Sequence, residues 1–75
     1  MYSISYDPLW KVLIDRQMKK TDLQKLTGLS SATIAKLSKG ESVTLDVIGK
    51  ICEKLEVPVH DVVLITTIAS QSFFE

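Results

Sequence analysis

Thr21-Asp22-Leu23-Gln24-Lys25-Leu26-Thr27-Gly28-Leu29-Ser30-Ser31-Ala32-Thr33-Ile34-Ala35-Lys36-Leu37-Ser38-Lys39-Gly40 reads as two short helices meeting at a corner. Thr21 followed three residues later by Gln24 forms a capping box, in which hydroxyl and amide reciprocally satisfy backbone donors at a helix start. Gly28 stands where a left-handed residue is needed to end that helix, a conformation glycine adopts cheaply. Leu29 then drops into the core, and Ser30 caps a second helix over residues 31–39. Its inward positions are Ile34 and Leu37, three apart, and Gly40 closes it as Gly28 closes the first.

The flanks extend the pattern. Tyr2, Ile4 and Tyr6 alternate with Ser3 and Ser5, a period of two that predicts a short strand or extended arm. Asp7 as N-cap and Pro8 at the first helical position predict a helix over residues 8–18, with Trp10, Leu13, Ile14 and Met18 on one face and Lys19-Lys20 in the following turn. Beyond Gly40, Thr44 caps a fourth helix whose apolar face is Leu45, Ile48, Ile51, Cys52 and Leu55, with Asp46 suited to the dipole of its first turn. Gly49 costs about 1 kcal/mol inside that helix, which suggests close contact with a neighbouring element. Pro58 starts a fifth helix with Val59, Val62 and Val63 inward. From Leu64 through Ile68 the β-branched residues Ile65, Thr66, Thr67 and Ile68 favour an extended segment able to pair with residues 2–6. The expected fold is all-α with five helices, plus a two-stranded ribbon joining the ends. Residues 1–7 form the arm, 8–65 the domain and 66–75 a tail.

Seventy-five residues allow one core, and a helical domain this small gains stability by pairing with a second copy, so a homodimer is expected. Lone Cys52 cannot form an internal disulfide and reads as packing in a reducing compartment. The apolar run 62–65 is far too short for a bilayer, and neither export nor membrane insertion is indicated; the expected location is cytoplasmic. Net charge is zero, yet residues 19–40 hold five lysines against Asp22, a net of +4, while residues 41–75 hold six acids against two lysines, a net of −4. Positive charge gathered into one third of the chain gives the molecule a cationic face, which a polyanionic partner requires.

Measured from Lys20, an apolar residue falls at the fourth position (Leu23), glycine at the ninth (Gly28), and apolar residues at the tenth, fifteenth and eighteenth (Leu29, Ile34, Leu37). With Ile4-Ser5-Tyr6-Asp7-Pro8-Leu9-Trp10, the centre Thr27 to Leu37, Lys39-Gly40-Glu41, Asp46-Val47-Ile48 and Lys50-Ile51-Cys52, the chain resembles the Cro-type, lambda-repressor-like helix-turn-helix regulators, in particular their small stand-alone bacterial members. The likeness spans residues 4–65 and departs from the family pattern at Gln24, where relatives carry alanine, and at Pro58, where they carry a polar cap.

The resemblance implies sequence-specific recognition of double-stranded DNA by the helix over residues 31–39. Residues facing away from Ile34 and Leu37 must face outward, which nominates Ser31, Ala32, Ala35 and Lys36 for base edges. Ser31 can hydrogen-bond to several bases, the Ala32 methyl can meet a thymine methyl, and Lys36 can donate to guanine O6 or N7. Lys19, Lys20, Thr21, Thr33, Lys39, Ser42 and Thr44 are nominated for phosphates. A repressor acting without cofactor or small-molecule ligand is the expected function. A different reading keeps the scaffold as a protein-interaction module, antitoxin-like or anti-repressor, holding a partner through the acidic half or through Ile65, Ile68, Phe73 and Phe74. Structural roles suffice elsewhere: Trp10 for the core, His60 for the surface and Ser30 as a cap. One histidine, one cysteine and no glycine-rich phosphate loop leave no catalytic or metal constellation to assemble, so no enzyme is expected.

Overall fold

A computed structural model describes residues 2–67. In chain order it contains β1 (Tyr2–Ser5), α1 (Asp7–Asp15), α2 (Lys20–Thr27), α3 (Ser31–Lys39), α4 (Leu45–Leu55), a single 3-10 turn (Val59–Asp61) and β2 (Leu64–Thr67). The strands pair antiparallel with Tyr2 opposite Thr67, Ser3 opposite Thr66, Ile4 opposite Ile65 and Ser5 opposite Leu64. The expected ribbon therefore forms, but on four helices rather than five. Residue 68, also expected in it, and Phe73 and Phe74 lie outside the described residues.

The core joins all four helices. Leu9 and Leu13 of α1, Leu23 of α2, Leu29 of the corner, Ile34 and Leu37 of α3, and Ile48, Ile51 and Leu55 of α4 are buried, with Tyr6 and Val62 closing the two ends. Both glycine corners are as expected: Gly28 and Gly40 each sit at φ +73° in the left-handed region. The caps on α3 and α4 are as read too. Ser30 Oγ accepts from the Thr33 amide at 3.2 Å, and Thr44 Oγ1 from the Val47 amide at 3.3 Å.

Several local expectations are corrected. The α1 helix begins at Asp7, whose amide donates to Ser5 Oγ, and ends at Asp15 rather than at residue 18. Gln17 adopts φ 57°, and the Met18 amide returns to the Leu13 carbonyl at 2.8 Å, a left-handed stop made without glycine. Its buried face is Leu9 and Leu13; Trp10 and Met18 are half-buried and Ile14 is 73% exposed. The start of α2 is Lys20, and its first orphan donor is met by Asp22, whose carboxylate accepts from the Lys19 amide at 2.8 Å. The Thr21–Gln24 box does not form, because both residues lie within the helix and the Gln24 amide reaches instead toward Ser31 Oγ at 3.5 Å. Leu45 of α4 is 85% exposed, outside that helix's buried face. The fifth helix reduces to one 3-10 turn with Val59 exposed, Val62 buried and Val63 half-buried against the core, before the chain extends into β2.

Gly49 is exposed, and a Cβ added there would meet nothing within 4 Å, so no close neighbour explains it. A Cβ on Gly28 also meets open space, but that residue is held at positive φ. The two glycines therefore respond to alanine with opposite signs. Gly49→Ala is expected to stabilise the domain by about 0.5–1 kcal/mol, and Gly28→Ala to destabilise it by about 1–2 kcal/mol, read as opposite shifts of the urea midpoint at constant slope.

Candidate nucleic-acid interface

Burial of Ile34 and Leu37 turns the opposite face of α3 outward, and Ser31, Ala32, Ala35 and Lys36 are all exposed. None of the four is covered by another part of the described chain. The first half of that face is small, with Ser31 and Ala32 in the first turn, so nothing bulky holds the helix away from an approaching surface. Lys36 and Lys39 occupy its last turn, where a cation complements the helix dipole.

The corner fixes the angle at which α3 is presented. Thr27 Oγ1 donates to the Leu23 carbonyl at 2.7 Å and accepts weakly from the Leu29 amide at 3.4 Å, so one hydroxyl closes the end of α2 and steadies the turn. The Gly28 amide also returns to the Gln24 carbonyl at 2.9 Å. At the start of α3, the Ser30 and Thr33 hydroxyls lie 3.0 Å apart. Thr33, nominated for phosphate, is half-buried with its hydroxyl partly engaged there.

Between α3 and the start of α4 lies an open cleft of about 280 Å³ lined by Thr33, Lys36, Ser42, Val43, Thr44 and Val47. It brings together four of the nominated residues, two from α3 and two from the loop before α4. It contains one cation, three hydroxyls and no carboxylate, a set that suits an anion with apolar groups beside it. Val43 and Val47 were not foreseen; both lie half-buried on the cleft floor, and neither periodicity nor charge marks them. The nominated Lys19, Lys20 and Thr21 are exposed at the start of α2, outside this cleft. Lys20 Nζ stands 4.6 Å from the centroid of the Trp10 ring. Among the described residues, no group of three His, Cys, Asp or Glu side chains could hold a metal ion, and no helix is long and apolar enough to cross a membrane.

Tyr6 links the arm to this region. The residue is 3% exposed, and its hydroxyl donates to the Glu41 carbonyl at 2.7 Å, tying the end of β1 to the loop bordering the cleft. Burial raises its pKa above the ordinary 10.0, an effect that the Val43 backbone partly offsets.

A Cro/C1-type helix-turn-helix DNA-binding domain model matches residues 8–67. The crystal structure of the transcriptional regulator VanUg, form II, is 43% identical to the chain, with 89% of each chain covered and a TM-score of 0.84. No curated protein sequence matches significantly.

Because the folded state favours the neutral phenol of Tyr6, the unfolded chain releases this proton first. Its contribution is therefore complete below pH 10 and lost as pH rises through 10 toward the higher folded value. Tyr6→Phe should cost about 1 kcal/mol at neutral pH and flatten the alkaline decline of stability, measured by urea unfolding across the pH 9–12 range.

Proposed function

This chain belongs to the Cro/C1-type helix-turn-helix DNA-binding domain family, and we propose that it is a transcriptional regulator that reads duplex DNA sequence-specifically and represses by occupying its site. The observation carrying this reading is the uncovered outer face of α3 beside a cleft holding Lys36 and three hydroxyls with no carboxylate.

In the proposed complex α3 enters the major groove. Ser31 and Ala32 approach base edges first, Ala35 follows, and Lys36 donates to guanine O6 or N7. The small side chains of the first turn let the helix backbone come close. Ser42 and Thr44 offer hydroxyls to the phosphates flanking the cleft, together with Thr33, and Lys39 adds a cation at the far end of α3. Across the corner, Lys19, Lys20 and the first turn of α2 at Thr21 meet the other side of the groove. These contacts sort into two kinds: the outer face of α3 specifies sequence, and the flanking groups set register.

The protein acts in the cytoplasm as a homodimer on two half-sites, one recognition helix per half-site, with no cofactor and no catalytic step. Two copies double the phosphate contacts and make the operator palindromic. The exposed apolar side chains of Tyr2, Leu64 and Ile65 on the ribbon are compatible with contact between copies.

Selection from a random duplex library supplies the operator, and a palindromic consensus is the expected product. On that duplex, Lys36→Glu should lower affinity by about a hundredfold or more with an unchanged circular dichroism spectrum and melting temperature. The wild type, touching about six to eight phosphates, should show log affinity falling against log salt with a slope of about −5 to −7. A flat salt response, or a Lys36→Glu chain that binds as the wild type does, would refute the proposal.

A further inference from the structure

The α1–α2 corner carries a second open cleft, about 350 Å³, lined by Trp10, Leu13, Ile14, Met18, Lys19 and Lys20. Every lining residue is apolar or cationic, and within the described residues neither lysine forms an ion pair. Lys20 is the first residue of α2. A helix begins with partial positive charge, so a lysine there is placed against the field of its own helix. The Asp22 carboxylate in the same turn accepts from the Lys19 amide at 2.8 Å and forms no ion pair with Lys20. What holds the Lys20 ammonium is the π-face of Trp10, 4.6 Å away at the ring centroid. Trp10 itself is half-buried and packed against the core, so the ring is a fixed platform rather than a mobile partner.

From this geometry we infer that Trp10 is a positioning residue for DNA binding: its ring holds the Lys20 ammonium in place before the duplex arrives. The inference rests on the DNA-binding reading given above. A free lysine side chain loses rotamer freedom when it engages a phosphate. Over the indole ring much of that ordering is already complete in the unbound protein, which lowers the entropic cost at the moment of association. Attraction to the ring is electrostatic and comes from one side of the ammonium. Its N–H groups on the other side remain turned to solvent and available to a phosphate oxygen. The apolar floor beneath offers no acceptor that would compete, and no carboxylate of the cleft would capture the ammonium instead.

A double-mutant cycle on the selected duplex tests this, using the wild type, Trp10→Leu, Lys20→Ala and the pair combined, with Trp10→Phe as a ring-retaining control. Melting curves first establish that each variant is folded under the assay conditions. Trp10→Leu should weaken binding about two- to tenfold in the wild-type background and have no further effect where Lys20 is already alanine. Trp10→Phe should restore most of the loss. Lys20→Ala should make the salt slope shallower by about one. Additive losses from Trp10→Leu and Lys20→Ala, or equal loss with Phe and Leu, would overturn the positioning role and leave Trp10 a purely structural residue. Failure of the wild type to bind any duplex would overturn this inference together with the functional reading beneath it, whereas normal wild-type binding with additive losses sinks the inference alone.

Discussion

Between Thr27 and Ser30 the chain has to end one helix, bury Leu29 and begin another helix within three residues, and the left-handed Gly28 makes this possible. The requirement is conformational rather than spatial, because the position has room for a side chain and lacks only a backbone that tolerates one. Once the corner is fixed, Leu23, Ile34 and Leu37 are brought together in one core. The outward face of α3 follows as a consequence: a helix that buries two residues three apart has no choice about which side it shows to solvent. A regulator reading DNA through this helix needs its angle to be reproducible to a fraction of a turn, and here that angle is set by a corner, two core contacts and the Thr27 hydroxyl.

What was legible in the sequence divides along the same lines. Elements with strong local signals, Gly28, Gly40, Ser30 and Thr44, lie where their chemistry predicts, since a cap or a left-handed residue acts over four residues and needs no knowledge of the fold. The α1 helix was harder because Leu9, Trp10, Val12, Leu13 and Ile14 are apolar almost all the way round, so the buried side is selected by what packs against it. Its end was hidden for another reason: Gln17 and Glu56 both adopt positive φ, at 57° and 56°, with no glycine to announce it. The start of α2 was misplaced by one or two residues because the Thr21–Gln24 pair matched a capping box, whereas the structure uses the carboxylate of Asp22 on the Lys19 amide. The Pro58 segment showed a helical start, but β2 must begin at Leu64, and this leaves space for one turn only.

The interface was partly legible for a related reason. Exposure of Ala32, Ala35 and Lys36 follows from helical periodicity alone, while Ser31 is exposed as the first residue of α3. The cleft joining Lys36 to Ser42, Val43, Thr44 and Val47 arises from the path of the loop between α3 and α4, and the link from Tyr6 to Glu41 spans 35 residues of sequence. Period-two alternation placed Tyr6 at the end of the ribbon, but its position at the boundary with α1 directs the ring inward, into the core. Long-range contacts of this kind leave no mark within a short window of sequence.

Charge placement differs between α4 and α2. In α4, Asp46 lies in the first turn and Lys54 in the last, and Asp46 pairs with Lys50 at 3.5 Å, so the helix follows its own dipole throughout. The α2 helix has the same order, Asp22 in its first turn and Lys25 in its last, but adds two lysines at its start. Lys19 and Lys20 stand at its positive end without an ion pair among the described residues, and Lys20 leans on an aromatic ring. A small domain has little stability to spare, and local rules are broken where another demand competes with folding. An external anion turns this arrangement from unfavourable to favourable, because a phosphate at the start of α2 is attracted both by the helix end and by the two lysines. In the proposed DNA complex, the same residues that weaken the free protein's electrostatics would strengthen binding.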